Sequence, residues 1–92
     1  MPSYLVESFV PRSSLDTALE AGGRLRAACD ELRRKGSSAR YVRTTFVPED
    51  ETCFHLIEAD SAEVAAELCR RASICRVRIV VANEARAARF PP

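Results

Sequence analysis

The sequence predicts a ferredoxin-like α+β fold with the element order βαββαβ. Four segments alternate apolar and polar residues, as half-buried strands do. Two other segments repeat apolar residues every three or four positions, as amphipathic helices do. Each helical segment lies between two strand segments, so right-handed crossovers give a four-stranded antiparallel sheet in the order 4-1-3-2, with both helices on one face.

The first strand is predicted over 4–10 and ends at Pro11, which cannot donate to a β-ladder. Ser13 or Ser14 is expected to cap the first helix. Its apolar stripe comprises Leu15, Ala18, Leu19, Gly22, Leu25, Cys29 and Leu32. Gly22 and Gly23 each cost a helix about 1 kcal/mol relative to alanine. A close approach of the helix to the sheet explains Gly22, and Gly36 is expected to end the helix.

The rest of the chain continues the same order of elements. We predict a second strand over 39–47, a turn at 48–50, a third strand over 52–59, a second helix, and a fourth strand over 74–82. Asp60 or Ser61 caps the second helix, with Glu63 as the capping-box partner of Asp60. Residues 1–82 therefore form a single domain, and 83–92 form a loosely held tail without apolar periodicity.

Composition excludes several broad classes of function. A formal net charge of +1 provides no general attraction for nucleic acid or for an acidic membrane surface. No apolar run is long enough to span a membrane, and the start of the chain shows no signal peptide, so we expect a cytoplasmic protein. The four cysteines contain no Cys-x-x-Cys pair and are expected to be reduced thiols.

Strict alternation along the strands assigns side chains to two faces of the sheet. Tyr4, Val6, Val42, Thr44, Phe46, Phe54, Leu56, Val77 and Ile79 are predicted to face the helices. The opposite face then carries Leu5, Glu7, Phe9, Tyr41, Arg43, Thr45, Cys53, His55, Ile57, Arg76, Arg78 and Val80. A face that mixes large apolar groups with charges favours coverage by another subunit, so we expect a homodimer formed through this open face.

Four charged or titratable residues are predicted to meet on that open face. The two central strands would bring Glu7 near His55, while Arg43 approaches from the second strand and Arg78 from the fourth. Guanidinium groups match carboxylates in geometry, so this cluster suits a small anionic or polar ligand. The alternative is a structural ion pair at the dimer seam.

The same face offers a candidate metal site. Cys53 and His55 are two residues apart on one strand, and both are ligand types for soft or borderline metals, with Glu7 as an oxygen donor. One histidine cannot complete a closed zinc site here, because the other cysteines lie on helices or on the opposite face. The alternative is that His55 is a hydrogen-bonded interface residue.

The same residues allow two alternative functions, an enzyme and a structural module, and they argue against nucleic-acid binding. Glu7 and His55 would exchange protons in a dimeric α+β barrel isomerase or oxygenase, but no nucleophile or oxyanion donor is identifiable beside them. A purely structural interaction module is the other alternative. RNA recognition on such a sheet requires aromatic residues on the first and third strands. Phe9 qualifies but Phe54 is predicted to face the helices, so no nucleic acid partner is expected.

Three stretches carry a resemblance to a known family: residues 4–7, residues 41–44, and residues 52–61. The chain resembles, over roughly 3–81, a family of small ferredoxin-like domain-of-unknown-function proteins that includes nickel-binding members. The resemblance implies a homodimer and raises nickel binding on the exposed sheet as an expectation, with Glu7 as the best-matching position. Where such proteins often carry histidine in the second strand, this sequence carries Arg43.

The leading hypothesis is therefore a cytoplasmic homodimer that binds a small ligand, or a metal ion of the nickel type, on its open sheet face without catalysis. No cofactor is required by the sequence.

Overall fold

The computed structural model describes residues 1–83. Its elements are β1 (Ser3–Phe9), α1 (Leu15–Arg34), β2 (Arg40–Val47), a short 3-10 helix (Pro48–Asp50), β3 (Thr52–Glu58), α2 (Ala62–Arg71) and β4 (Arg78–Ala82). The strands form one antiparallel sheet in the order β2-β3-β1-β4. The predicted ferredoxin-like fold and its strand order are confirmed.

The hydrophobic core lies between the two helices and one face of the sheet. Leu25 of α1 and Leu68 of α2 pack in the same cluster as Val6 of β1 and Ile57 of β3, and all four side chains are buried. Burying such side chains stabilises the fold by about 1.5–3 kcal/mol each. The core therefore ties both helices to the two central strands, and within residues 1–83 no helix lies on the other face of the sheet, which we call the open face.

The residues of α1 that face the core are smaller than those of the predicted apolar stripe. Leu15 and Leu19 are more than half exposed, with 53% and 57% of their surface accessible. The buried positions are Ala18, Ala21, Gly22, Leu25, Ala28 and Cys29. The predicted stripe is therefore wrong at Leu15 and Leu19 and confirmed at Ala18, because this part of the helix contacts the sheet through small residues that let the two backbones come close.

The end of α1 confirms the predicted role of Gly36. This residue has a φ of 98°, in the left-handed region that favours glycine. Its N–H donates to the Arg33 carbonyl, and the Ser37 N–H donates to the Leu32 carbonyl, both at 3.0 Å. These two bonds form a Schellman motif, which satisfies carbonyls that the end of a helix leaves unpaired.

The start of α2 distinguishes between the two predicted caps. Ser61 is the cap, and its side chain accepts a hydrogen bond from the Val64 N–H at 3.2 Å. Glu63 is then only the second helical residue, one position short of the capping-box place. Its carboxylate still lies in the first turn, where a negative charge favours the helix dipole.

Strand β4 is shorter than predicted. The predicted strand began at Ile74, but Ile74 is a buried core residue and β4 begins only at Arg78. Between them Arg76 has a φ of 55°, which interrupts the extended backbone. The apolar residue at 74 is there for packing beneath the helices, and alternation along the sequence could not distinguish that role from a strand.

The predicted tail, 83–92, lies outside the described residues apart from Asn83, which is exposed. In the part of the chain that the structure describes, neither helix is both long and apolar enough to cross a membrane.

Candidate functional site

The register between β1 and β3 decides which face His55 occupies. Val6 lies opposite His55, and Tyr4 lies opposite Ile57. Directly paired residues of antiparallel strands point to the same face, and Val6 is in the core. His55 therefore faces the helices, with none of its surface exposed. The predicted placement of Cys53, His55 and Ile57 on the open face is wrong.

The physical reason is that β3 is apolar on both faces. Phe54 and Leu56 point to the open face, where they lie opposite Glu7 and Leu5 respectively. Because Cys53 and Ile57 are also apolar, the alternation in this strand does not by itself determine which set is buried. The pairing with β1 determines it instead.

A β-bulge divides strand β2 into two parts. Beyond it, Thr44 and Phe46 lie opposite His55 and Cys53 on the helix side. Both were predicted to face the helices. Before the bulge Tyr41 lies opposite Ile57, also on the helix side, so its predicted open-face position is wrong. The register shift between Tyr41 and Arg43 adds one residue, and alternation carried through it assigns the first part of the strand to the wrong face.

Four side chains form what we call the buried polar chain: Tyr41, Thr44, His55 and Cys53. The Tyr41 hydroxyl and Thr44 Oγ1 are 2.5 Å apart, and Thr44 Oγ1 lies 2.7 Å from His55 Nδ1. His55 Nε2 lies 3.6 Å from the Cys53 Sγ. Burial lowers the pKa of His55, and the Arg24 charge lowers it further. Burial also raises the pKa of the Cys53 thiol. Both shifts favour the uncharged forms, so the buried polar chain contains a neutral imidazole and a protonated thiol.

Helix α1 closes over the buried polar chain at Gly22. A Cβ atom placed on Gly22 would overlap Thr44 Oγ1 and would lie 3.1 Å from the Tyr41 hydroxyl. The predicted close approach at Gly22 is thus confirmed, and its cause is a polar cluster directly under the helix. Within residues 1–83, no buried side-chain nitrogen or oxygen lacks a hydrogen-bond partner. The arrangement is that of a satisfied structural network.

The predicted clusters that combined Glu7 with His55 do not form. Glu7 pairs with Phe54 and Arg78 on the open face, whereas His55 lies across the sheet beneath α1. The acid–base pair of Glu7 and His55 is excluded by this separation, and Glu7 cannot complete a metal site with Cys53 and His55. Among the described residues, no group of three or more His, Cys, Asp or Glu side chains is placed to hold a metal ion.

The open face itself has an apolar centre. Leu5 lies opposite Leu56 on one side and opposite Val80 on the other. A hollow of about 310 Å3 lies over this centre. It is lined by Leu5, Arg43, Thr45, Phe54, Leu56 and Ala82. Of the predicted ligand-binding residues, Arg43 belongs to this central hollow.

A second cavity, the sheet-end cleft, lies where β1 ends and β3 and β4 begin. Its volume is about 310 Å3. Its charged and aromatic lining residues are Glu7, Phe9, Asp50, Glu51, Arg76 and Arg78. Arg78 Nη1 is 3.9 Å from Glu7 Oε2, so these two predicted ligand-binding residues do lie together. The sequence did not predict Asp50 and Glu51 as site residues. Their position directly before β3, the strand that pairs with β1, could have indicated that they lie at this end of the sheet.

Two aromatic residues lie on the open face, on the first and third strands where an RNA-binding sheet of this fold carries them. Phe54 on β3 and Phe9 on β1 both lie on the open face, so the premise that Phe54 faces the helices is wrong. The face still carries the carboxylates of Glu7 and Glu58, which repel phosphates. Arg40 Nε is 3.2 Å from Glu58 Oε1, so this guanidinium already has a carboxylate partner.

These features define a ferredoxin-like α+β domain in which both helices of the described residues, 1–83, lie on one face of the sheet. No family model, curated protein or solved structure matches the chain. The resemblance to the small ferredoxin-like family stays a prediction.

Proposed function

We propose that the protein is a homodimeric binding protein in which two copies pack their open sheet faces together and enclose a small ligand. The observation that supports this most strongly is the apolar centre of the open face. Leu5 and Phe54 are only partly buried by their own chain, whereas Leu56 beside them is already buried, with 4% of its surface exposed.

An antiparallel sheet with one face in water normally alternates apolar residues inside with polar residues outside. Here the two central strands carry Leu5, Phe54 and Leu56 on the side opposite α1 and α2. Covering apolar surface contributes about 25 cal/mol for each Å2 removed from water. A second layer over this face therefore stabilises the fold, and a short chain with a small core benefits most from it.

A second copy of the same chain suits this face because its charges are of both signs. In a two-fold symmetric interface the same patch serves both partners. Glu7 and Glu58 provide carboxylates, while Arg40 and Arg78 provide guanidinium groups on the same face. Two such faces can approach without a large excess of like charge. The carboxylates of one copy can then pair with guanidinium groups of the other.

The ligand position follows from the central hollow. Packing two open faces together places two hollows of about 310 Å3 each towards the dimer seam. Small-molecule sites are mostly apolar with a few polar groups, and Arg43 and Thr45 supply those polar groups among apolar walls. We propose binding without catalysis, because His55, on which the acid–base hypothesis depended, is sealed beneath α1.

The test is the mass of the particle in solution, measured by size-exclusion chromatography with light scattering. We expect twice the 10.2 kDa of one chain. Leu5→Arg at the centre of the open face should give a folded monomer. Leu19→Arg, at an exposed position of α1, is the matched control and should remain dimeric. A wild-type protein that stays monomeric at about 1 mM would exclude a functional dimer.

A second readout separates the dimer from an alternative use of the same face. Single-stranded RNA is added to wild type and to Phe54→Ala. The proposal expects no binding by either protein at physiological salt. Binding by a monomeric wild type that is lost in Phe54→Ala would assign the open face to RNA and overturn the dimer.

A further inference from the structure

The sheet-end cleft shares Glu7 and Arg78 with the edge of the open face, but it lies apart from the apolar centre through which the two copies are proposed to pack. It lies at one end of the sheet, and each chain contains a complete copy of it. A volume of about 310 Å3 is at the lower end of the range for small-molecule sites, so it suits a ligand of amino-acid size.

The walls of the cleft carry opposite charges. Arg76 lines it from the segment before β4, and Arg78 lines it from the first position of β4. Asp50 and Glu51 line it from the end of the 3-10 helix, and Glu7 comes from β1. The separation of 3.9 Å between Arg78 and Glu7 is at the limit for an ion pair, and 71% of the Arg78 side chain is exposed. Within residues 1–83, Arg76 makes no ion pair with a carboxylate.

The two sides are held in place by the backbone. The Glu51 carbonyl accepts the Val10 N–H at 3.0 Å, and Glu51 Oε2 accepts the Arg12 N–H at 3.1 Å. These bonds fix the acidic side against the segment that follows β1. Arg76 adopts a left-handed backbone conformation between the buried Ile74 and β4, so a core residue on one side and the sheet on the other anchor the basic segment.

An aromatic ring lies at the same cleft. Phe9 is 70% exposed, although it belongs to a central strand and lies opposite Thr52. A large apolar side chain that is left in water beside a cavity offers a contact surface for an apolar part of a ligand. Its ring face also attracts a cationic group.

We propose that the sheet-end cleft binds a free amino acid with an apolar or aromatic side chain. The carboxylate of the ligand lies against Arg76 and Arg78, and its ammonium group lies against Glu7 and the Asp50–Glu51 side. Its side chain packs on Phe9. A ligand with a single charge would pair with one side of the cleft and be repelled by the like charge of the other side. A zwitterion pairs with both sides.

The experiment titrates the full-length protein with L-phenylalanine, followed by amide chemical shifts and by calorimetry. Two analogues each remove one charge: N-acetyl-L-phenylalanine lacks the ammonium group, and L-phenylalanine methyl ester lacks the carboxylate. We expect saturable binding of L-phenylalanine with shifts at residues of the cleft, and at least about tenfold weaker binding of each analogue. Glycine should also bind at least about tenfold more weakly, because it has no side chain to contact Phe9.

Variants then locate the site. Arg76→Gln and Asp50→Asn should each weaken L-phenylalanine binding at least about tenfold. Arg26→Gln, at an exposed position of α1 outside the cleft, is the matched control and should leave it unchanged. All three changes are at exposed positions, and circular dichroism checks that each variant folds.

Three results would overturn the proposal. The first is the absence of saturable L-phenylalanine binding at concentrations up to about 10 mM, a limit on the order of the weakest affinities that titration resolves. The second is equal binding of either analogue, which would remove the requirement for both charges. The third is equal binding by Arg76→Gln and wild type. Because the cleft is complete in one chain, the Leu5→Arg monomer should bind L-phenylalanine like wild type, which separates this proposal from the dimer.

Discussion

Gly22 of α1 lies directly over the side chain of Thr44 of β2. A Cβ atom at this glycine would overlap Thr44 Oγ1. Thr44 in turn contacts both Tyr41 and His55, so the helix rests on the middle of the buried polar chain. The neighbouring Gly23 is exposed, and a Cβ atom there would meet nothing within 4 Å. The two adjacent glycines therefore have opposite physical roles.

The first prediction compares Gly22→Ala with Gly23→Ala. Gly22→Ala forces the helix away from Thr44, and overpacking of this kind costs about 1–3 kcal/mol. Gly23→Ala only gains helix propensity, so the free energy of unfolding should rise by about 0.5–1 kcal/mol. Urea denaturation followed by circular dichroism measures both. Equal stabilisation by the two substitutions would contradict the close approach at Gly22.

The second prediction concerns the pH dependence of stability. Burial lowers the pKa of His55 from its ordinary value of 6.5, so the unfolded chain takes up a proton at a higher pH than the folded protein does. The free energy of unfolding should therefore fall as the pH is lowered through 6.5, and it should level off below the folded pKa. The slope should reach at most about 1.4 kcal/mol per pH unit. Urea denaturation at a series of pH values measures it.

His55→Gln is the control for that pH series. The substitution keeps a polar side chain beside Thr44 but removes the titrating imidazole. Its stability should be lower than that of wild type near neutral pH, and the loss between about pH 7 and pH 5 should disappear. If the pH dependence of the variant matched that of wild type, another group would be responsible.

The third prediction concerns thiol reactivity. Burial raises the pKa of Cys29 and of Cys69 to about 11, and it also raises that of Cys53. Since the thiolate is the reactive form, these three thiols should react slowly with Ellman's reagent in the folded protein. Cys75 is exposed and should react fast. Cys75→Ser should lose the fast phase, and urea should release the remaining thiols. Two or more fast thiols in the native protein would contradict this burial pattern.

The fourth prediction compares the two helix caps. Ser61 accepts a hydrogen bond from the Val64 N–H, whereas Ser14 at the start of α1 makes no such side-chain bond. Ser61→Ala should lower the free energy of unfolding by about 1 kcal/mol, and Ser14→Ala should change it by much less. Thermal denaturation of both variants measures the difference. Equal losses would show that the Ser61 bond does not stabilise α2.

The order of elements could be predicted because each element has a strong local signal. Gly36 marks the end of α1, and Ser61 was one of two predicted caps for α2. The start of β4 could not be placed, because Ile74 is apolar for a reason of tertiary packing. The same limit applies to Leu15 and Leu19, which follow the period of the helix but lie outside the contact that α1 makes with the sheet.

The candidate site was predicted in part. Glu7, Arg43 and Arg78 lie on the open face as predicted. Side chains alternate without interruption along β1, along β4 and along β2 beyond its bulge, so alternation assigns these three residues correctly. His55 could not be placed, since β3 is apolar on both of its faces. Tyr41 could not be placed either, because the bulge that follows it has no signature in the residues themselves. In both cases long-range pairing determined the orientation.

The exposed position of Cys75 has a practical consequence. This residue directly precedes Arg76 at the edge of the sheet-end cleft, and the other three cysteines are buried. A nitroxide attached there would mark one defined place on the chain. If the proposed dimer forms, the distance between its two nitroxides would report how the pair of sheets is stacked, and the tumbling of each would report whether the neighbouring sheet-end cleft is filled.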